Sequence, residues 1–306
     1  DCEKDAMAVK LISGLLRLVA QLPRPWLQRM GVWLGWTSYR TNSRAARVTR
    51  VNLELCLDED VTGNDALETL TKQSLIETGK TFMETPRVWF GPAERVDRWI
   101  SKVHNESALI DRIKADTGTV ILLPHLGNWE LFNVAIRRYG RMTALFSPPR
   151  QQYLKSVLSD VRLQHGNHMV PANRRGVSTL YRTLQSGGTV VVLPDQIPAN
   201  GCYAPFFGHA ALTDALTGRL LKKTGAKAVG AAMVRRDDGA FELHIIEPDD
   251  SIYDADIDVS ARAVNQLVER CVDLAPTQYQ WEYKRFRKRP VGEPKVYRFN
   301  KSSGFH

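Results

Sequence analysis

From Gly118 onward the chain alternates short apolar runs with helical stretches, and this alternation constrains the fold more than any other feature of its 306 residues. Thr119 to Leu123, Met142 to Phe146, Thr189 to Leu193, Lys227 to Val234 and Phe241 to Ile246 have the length and side-chain content of buried strands. Stretches near 129–138, 151–164, 176–186, 213–224 and 260–274 carry helical spacing between them. Strands that alternate with helices imply an α/β fold, with a central, mostly parallel sheet flanked by helices on both faces. Ligands in such folds sit beyond the carboxyl ends of the strands. Ahead of this region, residues 65–115 read as helices, with Pro86 and Gly91-Pro92 as breaks.

Two of the strand ends rhyme. GTVILLPHLGNWE and GTVVVLPDQIPAN each close an apolar strand with Leu-Pro followed by polar groups, so His125 and Asp195 are expected to face one crevice. Asn128 suits the N-cap of the next helix, which puts Glu130 in that helix's first turn, close to His125. A neutral imidazole beside a carboxylate is a general base: it removes a proton from an attacking hydroxyl, while the carboxylate fixes the tautomer and stabilises the imidazolium. Taken singly, His125 reads as a loop histidine and Glu130 as an acid favoured by the helix dipole. Together, across a glycine that permits close backbone approach, they favour catalysis. Backbone N–H groups of Gly127 and Asn128 are candidate donors to a developing oxyanion.

The net charge of +9 is concentrated at one end. Between Asp5 and Glu54 there is no acid, whereas Lys10, Arg17, Arg24, Arg29, Arg40, Arg44, Arg47 and Arg50 are basic. Met7 to Leu22 places Lys10, Gly14, Arg17 and Gln21 at helical spacing among apolar residues, the pattern of an amphipathic helix. It is short and charged for a bilayer span, and with Pro23 and Pro25 after it and no small-residue cleavage site it does not resemble a signal peptide. Trp26, Trp33, Trp36 and Tyr39 follow, residues suited to a headgroup boundary. Periodicity alone equally allows these faces to pack on the protein's own core. The tryptophans beside an acid-free basic run favour an anionic membrane surface. Residues 1–60 are therefore expected to form a membrane-associating helical segment and 61–306 the catalytic domain. Cys2, Cys56, Cys202 and Cys271 lack metal or disulfide spacing, which suits a reducing cytosolic setting.

HLGNWE, His125 to Glu130, resembles the H-x4-D/E motif of the glycerolipid acyltransferase superfamily, in the HxxNWE form of the late acyltransferases of lipid A biosynthesis. LQSGGTVVV, LPDQ at 193–196, PFFG at 205–208 and QYQWEYKRFRKRP resemble successive blocks of the same family, so the similarity spans roughly residues 10 to 290. The resemblance implies acyl transfer from an acyl carrier protein thioester, or acyl-CoA, to a hydroxyl of a membrane lipid at the cytoplasmic face of the inner membrane. The implied acceptor is a lipid A precursor, and no metal or cofactor is needed. His125 and Glu130 would be catalytic. Arg162, in VRLQHG, and Asp195 are carried over as site residues; Asn128 and Arg175 join them, with Arg162, Arg174 and Arg175 offering bidentate partners to acceptor phosphates. Phe206 and Phe207 would line an acyl channel. Gln164, where a second arginine is common, and Glu282-Tyr283, in place of His-Arg character, depart from the pattern and leave open another lipid, a lysophospholipid or an amine as acceptor.

Other classes fit less well. GVSTL at 176–180 lacks the last glycine of a nucleophile elbow. SLIETGKT at 74–81 has a P-loop ending without its first glycine or a leading strand. His165 and His168 lack partners to complete a metal motif. The other-class alternative is a basic nucleic-acid-binding protein, prompted by the N-terminus and WEYKRFRKRP, whose aromatics among arginines suit base stacking. No nucleic-acid module is recognisable, so nucleic acid is not an expected partner.

Overall fold

The computed structural model describes residues 2–57, 64–146 and 166–299, and the side chains from Leu11 on, Asn64 excepted, within them. The expected helix at 151–164 lies outside the described residues, as do Arg162 and His165. Four helices come first: α1 (Cys2–Val19), α2 (Arg24–Arg40), α3 (Arg44–Cys56) and α4 (Asn64–Phe90). Pro25 lies in the first turn of α2, where a missing N–H costs no helical bond. Ser43 caps α3 through its hydroxyl, which accepts from the Ala46 N–H at 3.1 Å. Helices α2 and α4 cross closely because both are glycine at the contact: a Cβ on Gly35 would lie 2.3 Å from the Leu75 carbonyl oxygen, and one on Gly79 2.2 Å from that of Gly31.

Helix α4 runs through Pro86 instead of breaking there. The proline removes one backbone bond and costs about 3 kcal/mol in a helix interior. Burial of Thr81, Glu84 and Val88 on either side supplies the tertiary contacts that hold the helix through it. After α5 (Ala93–Asp97) comes β1 (Ile100–His104), a strand in a stretch expected to be helical. It is one short edge strand with a single fully buried residue, Ile100, so its own pattern carries little strand signal.

Beyond α6 (Glu106–Lys114) the α/β region follows, with β2 (Thr119–Leu122), α7 (Phe132–Ala135), β3 (Met142–Phe146), β4 (His168–Pro171), α8 (Arg174–Gln185) and β5 (Thr189–Val192). A hairpin of β6 (Cys202–Phe206) and β7 (His209–Thr213) leads to α9 (Leu216–Thr224), β8 (Lys227–Arg235), β9 (Phe241–Ile246) and α10 (Ile257–Leu274). Seven strands form one sheet in the order β1-β9-β8-β2-β5-β3-β4, parallel throughout except for the antiparallel β8–β9 pair. Strand β4 and the hairpin, like β1, were not signalled by apolar runs, since all are short and partly exposed.

Strand β2 is buried along its length, and its alternation divides the core. Ile121 and Leu123 join α6, α7 and the end of α4 on one face. Val120 and Leu122 join α8, α9 and α10 on the other. A third cluster, around Phe206, Trp281 and Phe286, seats the C-terminal segment against α3, α10 and the hairpin. Among the described residues no helix is long and apolar enough to cross a membrane.

Candidate active site

The site begins with register. Strands β2 and β5 are parallel neighbours with Leu122 opposite Val192, and each continues through Leu-Pro, so three residues further on His125 meets Asp195. The Asp195 carboxylate takes hold of His125 twice. One oxygen accepts from the His125 backbone N–H at 2.8 Å, and the other lies 2.8 Å from Nδ1 of the ring. On the other side, Nε2 of Gln196 is 3.1 Å from Nε2 of His125 and also donates to Oε1 of Gln280 at 3.3 Å. An amide nitrogen can only donate, so His125 Nε2 is the accepting nitrogen and Nδ1–H donates to Asp195. This is the tautomer a general base requires.

Burial alone would push the His125 pKa down. The charge and hydrogen bond of Asp195 outweigh it, with smaller help from Glu130 and Glu282, and the imidazole ends above its ordinary value. Asp195 is likewise buried, which disfavours its charge, yet His125 and the backbone N–H hold its pKa below the usual carboxylate range.

Glu130 does not hold the ring. It faces the same cavity, but its Oε2 accepts from Asn133 Nδ2 at 3.1 Å, and the contact that sets the tautomer belongs to Asp195. Asn128 occupies the N-cap position of the turn Trp129–Leu131 without capping it. Its side chain is buried and donates instead to Glu84 on α4 at 3.1 Å, because that carboxylate needs donors. Gly127 is not an oxyanion donor: its N–H is bonded to the Gln278 carbonyl at 2.9 Å. The glycine is required there, with φ at +58° and a Cβ that would lie 1.8 Å from the Met233 carbonyl oxygen.

A buried ion cluster supports this loop from below. Arg235, at the end of β8, gives Nε and Nη2 to Glu84 at 3.0 and 2.6 Å, Nη1 to Glu77, and Nη2 also to the Thr81 hydroxyl at 2.9 Å. Thr81 in turn donates to the Gly127 carbonyl at 2.9 Å, and Gln28 of α2 donates to Glu84 at 2.9 Å. Nothing local in the sequence marks Glu84 or Arg235, which lie 151 positions apart.

His125 opens onto a cavity of about 420 Å³. Among the described residues its walls include Met142, Ala144, Leu145, Met169, Val191 and Leu193, with Trp129, Glu130, Asn133, Gln196 and Asp214 as its polar or amphipathic members. Trp129 packs edge-on to the His125 ring at 4.8 Å. Burial raises the Asp214 carboxyl above its usual range, and its Oδ1 accepts from the Leu216 N–H at 2.7 Å. Gln196 and Asp214 were not among the expected site residues, although Gln196 closes the LPDQ block and shares the strand-end signal of Asp195.

Among the described residues, none of the other expected ones is hydrogen-bonded to His125. Arg174 and Arg175 are exposed in the first turn of α8, just after Ala172, whose N–H bonds to the Phe146 carbonyl at the cavity rim. Phe206 and Phe207 do not line the cavity; they pack with Trp281 and Phe286 because the hairpin folds them under the C-terminal segment. In WEYKRFRKRP, Trp281, Arg285 and Phe286 are buried and cannot stack on bases. SLIETGKT is the middle of α4, with no phosphate loop.

The chain is similar to known proteins along nearly its whole length. The family described as bacterial lipid A biosynthesis acyltransferase matches residues 5–288. The chain is 29% identical over 292 residues to a lipid A biosynthesis lauroyltransferase of Escherichia coli K12, covering 93% of this chain and 92% of that one. It is 28% identical over 288 residues to the palmitoleoyltransferase of the same strain, with 93% and 92% covered. A myristoyltransferase, also from that strain, is 24% identical over 304 residues, with 95% and 89% covered.

Titration of the His125 ring by nitrogen-15 NMR is expected to give a pKa above that of an ordinary histidine, with Nδ1 protonated in the neutral form. Asp195→Asn removes the largest contribution that raises it and leaves burial opposed only by the weaker pull of Glu130 and Glu282, so the pKa moves down. An unchanged pKa in the variant contradicts the pairing.

Proposed function

The chain belongs to the bacterial lipid A biosynthesis acyltransferase family and is an acyltransferase, and on that premise we propose that His125 is the general base for transfer of a fatty acyl chain to a hydroxyl of a lipid A precursor. The observation that carries this is the two-point grip of Asp195 on His125 at the edge of a cavity with one apolar stretch of wall, from Met142 and Ala144 to Met169 and Val191, among polar side chains. The acceptor hydroxyl displaces the Gln196 amide and hydrogen-bonds to Nε2. As its oxygen bonds to the thioester carbonyl carbon, the proton passes to Nε2, and Asp195 with Glu130 stabilises the imidazolium. The tetrahedral adduct collapses with cleavage of the C–S bond. The Nε2 proton then goes to the departing thiolate, leaving an ester and a free thiol.

The acyl chain lies along Met142, Ala144, Met169 and Val191, where each methylene removed from water contributes about 0.8 kcal/mol. We assign Arg162 and Arg175 to acceptor phosphates, Arg175 on its exposure beside the cavity rim. The donor is an acyl carrier protein, a strongly acidic partner suited to a basic rim, so donor KM rises with salt; a coenzyme A donor is the alternative.

Residues 1–60 act as the membrane-associating segment and 61–306 as the catalytic domain, at the cytoplasmic face of the inner membrane. What supports this is an unburied apolar face: Leu11, Leu15 and Leu18 on α1 and Trp26, Met30, Trp33 and Trp36 on α2 are all exposed, Leu11 by 74% and Trp33 by 66%. Arg24, Arg29, Arg40 and Arg44 supply positive charge along the same segment.

Replacing His125 with alanine is expected to lower transfer by about 10²- to 10⁴-fold without loss of fold. Lipid mass spectrometry of cells carrying either form then shows which lipid loses an acyl-length mass, and retained transfer contradicts the assignment. The protein is also expected to sediment with anionic liposomes, and a chain lacking residues 7–39 is expected not to. Sedimentation of the shortened chain removes the membrane role of that segment.

A further inference from the structure

Away from the candidate active site, three side chains converge at one edge of the sheet. Strands β1 and β9 run parallel, with His104 opposite His244 and Lys102 opposite Glu242. Residues two apart on a strand share a face, so Glu242 stands beside both imidazoles. Its Oε2 is 2.7 Å from Nε2 of His104 and 3.6 Å from Nε2 of His244. The two rings are stacked, their centroids 4.2 Å apart and their planes within 10° of parallel. One donor atom from each of the three residues lies within 4.8 Å of the other two. All three side chains are partly exposed, and β9 and β8 separate β1 from the strand that leads to His125.

Hydrogen bonding explains only part of this cluster. His104 is paired with Oε2 of Glu242, and Nη1 of Arg236 donates to Oε1. The second ring points at the same Oε2 from 3.6 Å, which is beyond hydrogen-bonding reach, so a shared proton does not account for its position. A metal ion does. Imidazole nitrogens lie about 2.0–2.1 Å and carboxylate oxygens about 2.0–2.2 Å from tetrahedral zinc, which sets the donor atoms about 3.4 Å from one another. The separations of 2.7 and 3.6 Å bracket that spacing, so small side-chain rotations would seat an ion. Each neutral imidazole would coordinate through Nε2 and keep its proton on Nδ1. Two nitrogen donors favour zinc and its transition-metal neighbours over magnesium or calcium, which take oxygen. Arg236, bound to Oε1, holds the carboxylate with Oε2 toward the rings, the part an outer-shell partner plays at metal sites. The charges of Arg236 and Lys102 oppose a cation and lower its affinity.

We propose that His104, Glu242 and His244 bind a divalent transition-metal ion of the zinc type, with water completing the coordination. The ion would clamp β1 to β9. Strand β1 gains most from such a clamp, since it pairs with β9 alone and buries only Ile100 fully. The role is structural and stands apart from the reading of His125.

The test uses the full chain without an affinity tag, stripped of metal by a chelator and titrated with Zn²⁺ in a calorimeter, with the histidine rings followed by nitrogen-15 NMR. One Zn²⁺ is expected to bind per chain, to shift the ring signals of His104 and His244, and to raise the melting temperature. His244→Gln and, separately, Glu242→Gln are expected to lower the affinity by about tenfold or more, with melting in the absence of zinc confirming that each is folded. His168→Gln, at an exposed histidine of β4, is expected to keep full affinity, and Mg²⁺ in excess is expected not to compete. Absence of zinc binding overturns the proposal. So does affinity retained in either cluster variant, or zinc-induced shifts confined to other histidines.

Discussion

The carboxylate of Asp195 bonds at once to the backbone N–H and the ring of His125, and the site depends on that double contact. It arises from the sheet. Because β2 and β5 are parallel and in register, equal steps beyond Leu122 and Val192 bring the two residues face to face. The backbone bond fixes where the loop leaves the sheet, and the ring bond fixes which nitrogen carries the proton. One buried charge thus orients the chain and selects the tautomer, and its own ionisation is maintained by the same two donors.

The loop beyond His125 is held by an unrelated set of buried charges. Glu84 and Arg235 are almost wholly removed from water, and a pair like this adds little net stability because desolvating two ions costs nearly what their attraction returns. Removing Arg235 is costly, about 3–5 kcal/mol, since the Glu84 charge is then left buried without its counter-ion. Its consequence is therefore specificity of arrangement. Asn128, Thr81 with the Gly127 carbonyl, and Gln28 all converge on it. Gln28 belongs to α2, whose outer face carries the exposed tryptophans, so the helix proposed to lie on the membrane is bonded directly to the carboxylate that holds the loop next to the base.

The strands that bear the site were legible in the sequence because each is buried on both sides of the sheet and reads as a continuous apolar run. Their rhyming ends located His125 and Asp195. The partner of His125 was harder to read. Glu130 is near in sequence and first-turn acids are common, whereas Asp195 is 70 residues away and meets His125 only through strand order, which pattern does not specify. The same holds for Glu84 and Arg235, whose pairing requires α4 to lie against the end of β8. Phe206 and Phe207 look alike whether they line a channel or a core, and the hairpin that buries them has strands too short to announce it. Pro86 signalled a break that tertiary contacts override.

The most direct test of the double contact is the pH dependence of kcat/KM for acyl transfer, compared between the unaltered protein and Asp195→Asn. The base must be neutral to work, so activity rises with pH through the His125 pKa, which Asp195 holds above the ordinary histidine value. In the variant the rising limb is expected to move to lower pH while the plateau drops by about 10²- to 10⁴-fold, since a neutral amide neither raises the pKa nor favours the working tautomer. A variant with the original limb and plateau would show that Asp195 does not govern His125.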